Sequence, residues 1–120
     1  MTTHRMSLRV GTRTQIRKLL PSLEKLQTYS STGTGSRIVL KDKGGRFVGV
    51  IQLSGLEDDA ACVIWRERRL VGQCRYKPQN GWLIYPIEKG FLAPEPLTQT
   101  DPVQYLIALD KSAHQVSPGE

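Results

Sequence analysis

Cysteine, histidine and long apolar runs are all scarce in this chain, and each shortage removes a class of function. Cys62 and Cys74 are the only cysteines among 120 residues. They lack the paired spacing of a zinc site and are too few for a disulfide scaffold, so a reduced, cytoplasmic protein is expected. His4 and His114 stand near opposite ends, with no serine, cysteine or acid at a recognisable catalytic spacing. Apolar stretches such as residues 82–85 and 105–109 are far too short to cross a bilayer, so no membrane partner is expected. Arginines near the N-terminus have no apolar segment behind them, which argues against a secretory signal. Acidic residues are nearly missing from the first 28 positions, where Glu24 alone opposes six cations.

What the chain does have is a graded charge. Residues 1–28 carry a net +5, residues 29–92 a net +4 and residues 93–120 a net −3, which together make the overall +6. A basic head on a mixed body suits a polyanionic or acidic partner, because like charges held together repel until a counter-charged surface relieves them. The length is that of one domain able to bury a core.

Hydrophobic spacing predicts an α+β fold. Residues 1–11 have no clear period and read as a basic arm or short strand. Thr12 or Thr14 can cap a helix within residues 13–29 whose face is Ile16, Leu19, Leu20, Leu23 and Leu26. Pro21 either opens a second short helix or kinks a longer one. Residues 30–36, small and flexible, read as a linker. From Arg37 to Glu88 the period becomes two, and glycine-bearing or charged turns divide it into five strands. Tight turns in sequence order imply an antiparallel meander, and closure into a small barrel would protect its edges. Residues 90–101 hold two prolines and read as an extended connection. Asp101-Pro102 is a cap followed by proline at the first helical position, predicting a helix over 102–110. Domain organisation is therefore one α+β unit over 1–92, a proline-rich connection and helix over 93–111, and a flexible tail over 112–120.

Two basic clusters are candidate binding sites. Arg5, Arg9, Arg13 and Arg17 recur every fourth residue, with Lys18 beside the last, and suit an electrostatic clamp on phosphates. Arg66, Arg68 and Arg69 follow Trp65, with Arg75, Tyr76 and Lys77 in the next strand and Trp82 and Tyr85 close by. If Trp65, Tyr76 or Tyr85 faces outward among these cations, bases could stack there. The plainer alternative makes Trp65 and Trp82 core and the arginines a solvated hairpin end. Glu57-Asp58-Asp59 lacks the spaced ligands of a calcium loop and reads as a turn. Lys43-Gly44-Gly45-Arg46 lacks the spacing and following helix of a phosphate loop and reads as a hairpin turn. No metal or cofactor is expected.

An N-terminal helix before five antiparallel strands is similar to the element order of Sm-like proteins, and Gly44-Gly45-Arg46-Phe47-Val48-Gly49 resembles the turn and second strand of their first motif. The resemblance stops at Ser54, Gly55 and Leu56, where that family carries an acidic residue and then an asparagine, so no binding residue is carried over. Three functions follow as expectations: a small non-catalytic protein that binds RNA or DNA, an assembly subunit docking an acidic protein (with self-association one form of it), or a toxin-type RNase using Arg66, Arg68 or Arg69.

Overall fold

The computed structural model describes residues 14, 16–33, 36–55 and 60–116. The arm over 1–11, Thr12, Arg13, the Glu57-Asp58-Asp59 connection and residues 117–120 lie outside them. A helical turn at residues 16–19 leads into a 3-10 helix, η1 (Pro21–Lys25). Seven strands follow: β1 (Tyr29–Thr32), β2 (Arg37–Asp42), β3 (Phe47–Ser54), β4 (Ala61–Arg66), β5 (Arg69–Lys77), β6 (Gly81–Glu88) and β7 (Phe91–Leu92). Helix α1 (Pro102–Val116) completes the order. Each strand pairs antiparallel with the next, so the sheet is one meander in order β1 to β7.

The five expected strands are present as β2 to β6, and two short ones extend them. β1 lies where a linker was expected: its small polar residues hide no period-two signal, but Tyr29 to Thr32 align opposite Asp42 to Val39. β7 lies in the expected extended connection and is joined to β6 by Lys89 and Gly90, both at positive φ. The sheet does not close into a barrel, since β1 and β7 are separate edges. Both edges are short, which limits the unpaired backbone they present. The C-terminal segment also returns to β6, where Leu97 exchanges backbone hydrogen bonds with Ile84 at 2.7 and 3.0 Å. The N-terminal helix is not continuous over 13–29. Pro21 has no N–H to donate and sits at the start of η1, so the helix breaks at Leu20. Helix α1 runs past 110 to Val116, taking in residues expected to be tail.

The core lies on one face only. Ile38, Leu40, Ile51, Leu53, Cys62, Ile64, Cys74, Trp82 and Ile84 point from the sheet toward α1, which buries Val103, Tyr105 and Leu106 against them. Two glycines set how closely the helix approaches. A Cβ on Gly49 would lie 2.6 Å from the Trp65 carbonyl oxygen and 2.9 Å from both Leu106 methyls. A Cβ on Gly72 would lie 3.0 Å from the Tyr105 ring. The Tyr105 hydroxyl donates to the Val71 carbonyl at 2.7 Å, and burial pushes its pKa up to about 12, so it stays protonated.

Asp101 ties the two helical ends of the chain together. Its Oδ1 accepts from the Gln104 backbone N–H at 2.9 Å, the expected cap, and its Oδ2 accepts from the Ser22 N–H at 3.0 Å. Trp82 Nε1 donates to the Leu19 carbonyl at 2.6 Å, fixing the first helical turn over the same core. Among the described residues no helix is long and apolar enough to cross a membrane.

Candidate nucleic-acid interface

Alternation along the strands turns every second side chain away from α1. Cross-strand pairing orders these outward residues into rows. Val39, Val50, Trp65 and Leu70 form one row across β2 to β5. Arg37, Gln52, Val63, Gln73 and Tyr85 form the next across β2 to β6. Ser54, Ala61, Arg75 and Leu83 form a third across β3 to β6. Lys41 and Phe47 pair above the first row, and Lys77 extends beyond the third.

Val50 is the only buried residue in these rows, at 4 % exposure, between its partners Val39 and Trp65. The others are partly or fully exposed, Trp65 at 41 %, so no described element covers this face. Its charge is of one sign. Arg37, Lys41, Arg75 and Lys77 stand on it, and no strand residue of the face carries a carboxylate; Asp42 and Glu88 project to the helix side. A shallow groove of about 570 Å³ crosses it, lined by Val63, Gln73, Arg75, Tyr85 and Leu92 among others.

The cations bracket the aromatic residues. Lys41 and Phe47 lie at the end of the sheet where the β4–β5 turn places exposed Arg68, while Arg75 and Lys77 lie at the other end of β5. From Arg69 to Lys77 the strand spans roughly 26 Å at about 3.3 Å per residue. Glu67 and Arg68 make the turn itself with φ of 54° and 66°.

The sequence candidates therefore separate. Arg75 and Lys77 share the open face with Trp65 and Tyr85, and Arg68 lies at its rim in the β4–β5 turn, whereas Arg69 stands directly opposite Arg66 and so turns to the helix side. Tyr76 points to the core side, where its ring meets Trp82 edge-on at 5.3 Å. Arg66 also turns inward. Its Nη2 donates to Asp110 Oδ1 at 3.3 Å, alongside Arg46 Nη2 at 2.8 Å, while the Tyr29 hydroxyl donates to Oδ2 at 3.0 Å. Asp110 is 1 % exposed. Burial by itself raises its pKa, but the hydrogen bonds from Arg46, Tyr29 and Arg66 outweigh that and hold it below the ordinary carboxylate value. Arg66 thus serves the clasp between α1 and the sheet. Arg17 and Lys18 are exposed on the first helical turn, whose Leu19 and Leu20 enter the core, so they sit on the helix side of the sheet, and Arg17 pairs with Glu24 at 3.2 Å. Arg5, Arg9 and Arg13 lie outside the described residues.

Arg37, Lys41 and Phe47 join this face without being among the sequence candidates. The signal available was the run Arg37-Ile38-Val39-Leu40-Lys41, in which both cations share the parity of Val39 against the more apolar Ile38 and Leu40. Phe47 had no such signal. A bulge between Leu40 and Lys41 breaks the alternation of β3, so Phe47 faces outward although Gly49, two residues later, faces the helix.

Chemically the face offers π-surfaces, an apolar floor and fixed positive charge. Among the described residues no three His, Cys, Asp or Glu side chains are grouped to hold a metal. The chain matches no protein-family model, and it is significantly similar to no curated protein and no solved structure.

Proposed function

We propose that this protein binds nucleic acid, without catalysis, through the open face of its sheet. One observation carries the reading: four cations and no carboxylate stand on a strand surface that also exposes Trp65, Phe47 and Tyr85. Basic residues neutralise phosphates and release their counterions, and rings beside them offer stacking that a purely solvated surface has no use for. Arg68 adds a further cation at one rim, beside Glu67 in the same turn.

The test is fluorescence anisotropy of labelled RNA and DNA oligonucleotides against the full chain at 50 and 200 mM salt. Four phosphate contacts on a single strand correspond to a slope near −3 in log K against log salt, so affinity falls roughly 50-fold over that range. Arg37→Ala and Arg75→Ala each reduce the slope by about 0.7 to 1. Affinity that ignores salt, or no binding of any nucleic acid, refutes the reading. An acidic protein that co-purifies in fixed ratio after nuclease treatment, and competes at the same cations, would replace it with the assembly function.

A further inference from the structure

Resting on that reading, we infer that the nucleic acid recognised is single-stranded, and that its bases stack on Trp65 while its phosphates run between the cations at the two ends of β5. Three observations point to an unpaired strand. The face is a sheet surface, and α1, the only long helix among the described elements, is occupied on the opposite side by the core. Nothing described projects from the open face into a duplex groove, which admits a helix or a two-stranded ribbon. The second observation is the exposure of aromatic rings. Duplex bases keep their π-faces inside the stack, so a duplex laid on the sheet presents only phosphates and sugars to Trp65 and Phe47, whereas an unpaired strand presents bases that can stack on them. The third is the apolar row Val39, Val50, Trp65 and Leu70 between two charged ends. Phosphates satisfy the ends and gain nothing from the row; bases do.

A second copy of the chain fits this face less well. A two-fold face-to-face contact would bring Arg37, Lys41, Arg75 and Lys77 against the same four cations with no strand carboxylate between them. An acidic peptide would satisfy the charges but leave the rings without flat partners.

The experiment compares fluorescein-labelled 15-nucleotide single strands with the blunt duplex of the same sequence, at one salt concentration, using wild-type protein, W65A and W65F. The single strand is expected to bind at least tenfold tighter than the duplex. A lost stacking contact weakens single-strand binding by roughly 5- to 150-fold in W65A, while the salt slope stays that of wild type and W65F keeps most of the affinity. Titration with oligonucleotide quenches part of the tryptophan emission of the wild type, and W65F, which retains only Trp82, shows no quenching. Thermal melting checks that W65A is folded; should it not be, the W65F quenching comparison decides by itself. Equal or tighter duplex binding, undiminished affinity in folded W65A, or quenching that persists in W65F overturns this inference while leaving salt-dependent nucleic-acid binding in place. Failure of both single and double strands to bind removes the functional reading too. A dimer in sedimentation velocity that shields Trp65 from acrylamide likewise assigns the face to self-association.

Discussion

Asp110→Asn is the most informative change that can be made to the fold, because it removes one charge and leaves the shape in place. The carboxylate sits under the C-terminal half of α1 and receives Arg46, Arg66 and Tyr29 from β3's leading turn, β4 and β1. Its two arginines differ. The Arg46 side chain is 44 % exposed and also holds Asp42 at 2.9 Å, so it can turn to water when Asp110 is neutralised. The Arg66 side chain is only 16 % exposed, its Nε is buried without a hydrogen-bond partner, and Asp110 is its one ion-pair partner among the described residues. Stranding one buried charge costs on the order of 3–5 kcal/mol, and the partial release of Arg46 places the expected loss at the low end, about 3 kcal/mol. For a domain of this size that lowers Tm by roughly 12 °C. Urea unfolding followed by circular dichroism gives the free energy directly. A loss below about 1 kcal/mol would show that the clasp is a solvent-screened surface pair and refute the reasoning. Acid titration checks the sign. The Asp110 pKa is depressed in the folded state, so its stabilising contribution is complete above the ordinary carboxylate value near 4 and is lost as pH falls through the lower folded value. The Asn variant lacks that component, and its stability changes less over the same acid range.

Further perturbations test the rest of the framework. Gly49→Ala drives a methyl into the Trp65 carbonyl, a backbone atom that cannot yield without disturbing the β3–β4 pairing; destabilisation of about 3 kcal/mol in denaturant unfolding is expected, and a change within 0.5 kcal/mol would deny the close approach of α1. Replacing Glu67-Arg68 by Asn-Gly relieves two side chains held at positive φ and raises the urea midpoint, by roughly 1–2 kcal/mol of stability; an unchanged or lower midpoint contradicts the turn geometry. Cys62 and Cys74 oppose each other across β4 and β5, both buried and reduced. The hydrogen bond from Cys74 and burial push the Cys62 thiol up, so Ellman's reagent should label neither cysteine faster than the protein unfolds. Rapid labelling under native conditions would place the pair outside the core.

Much of the architecture was legible because local chemistry announced it. The Asp101-Pro102 pair marks the start of α1, Pro21 marks the break after the first helical turn, and period-two spacing with tight turns marks β2 to β6. β1 and β7 had no such signal. Tyr29 to Thr32 is a strand because β2 offers it a partner and Asp110 holds the Tyr29 hydroxyl; Phe91 and Leu92 are a strand because two residues at positive φ fold them back on β6. Facing was harder than pairing. β4 reads Ala61-Cys62-Val63-Ile64-Trp65, apolar at both parities, so its composition does not say which side meets the core.

The sequence by itself determined the charge gradient, the α+β class and the antiparallel meander, since helix caps, proline and tight turns act through neighbouring residues. Only the tertiary structure decided how that charge divides. Arg66 and Tyr76, at opposite ends of the basic hairpin, both turn to the helix side, and Arg66 is drawn into a buried pair with an aspartate 44 residues away. Arg37 and Lys41, unremarkable in sequence, join Arg75 and Lys77 around an exposed Trp65. Strand alternation sends successive side chains to opposite faces, and each bulge reverses the count, so which residues share a surface depends on long-range register and on the single face that α1 covers.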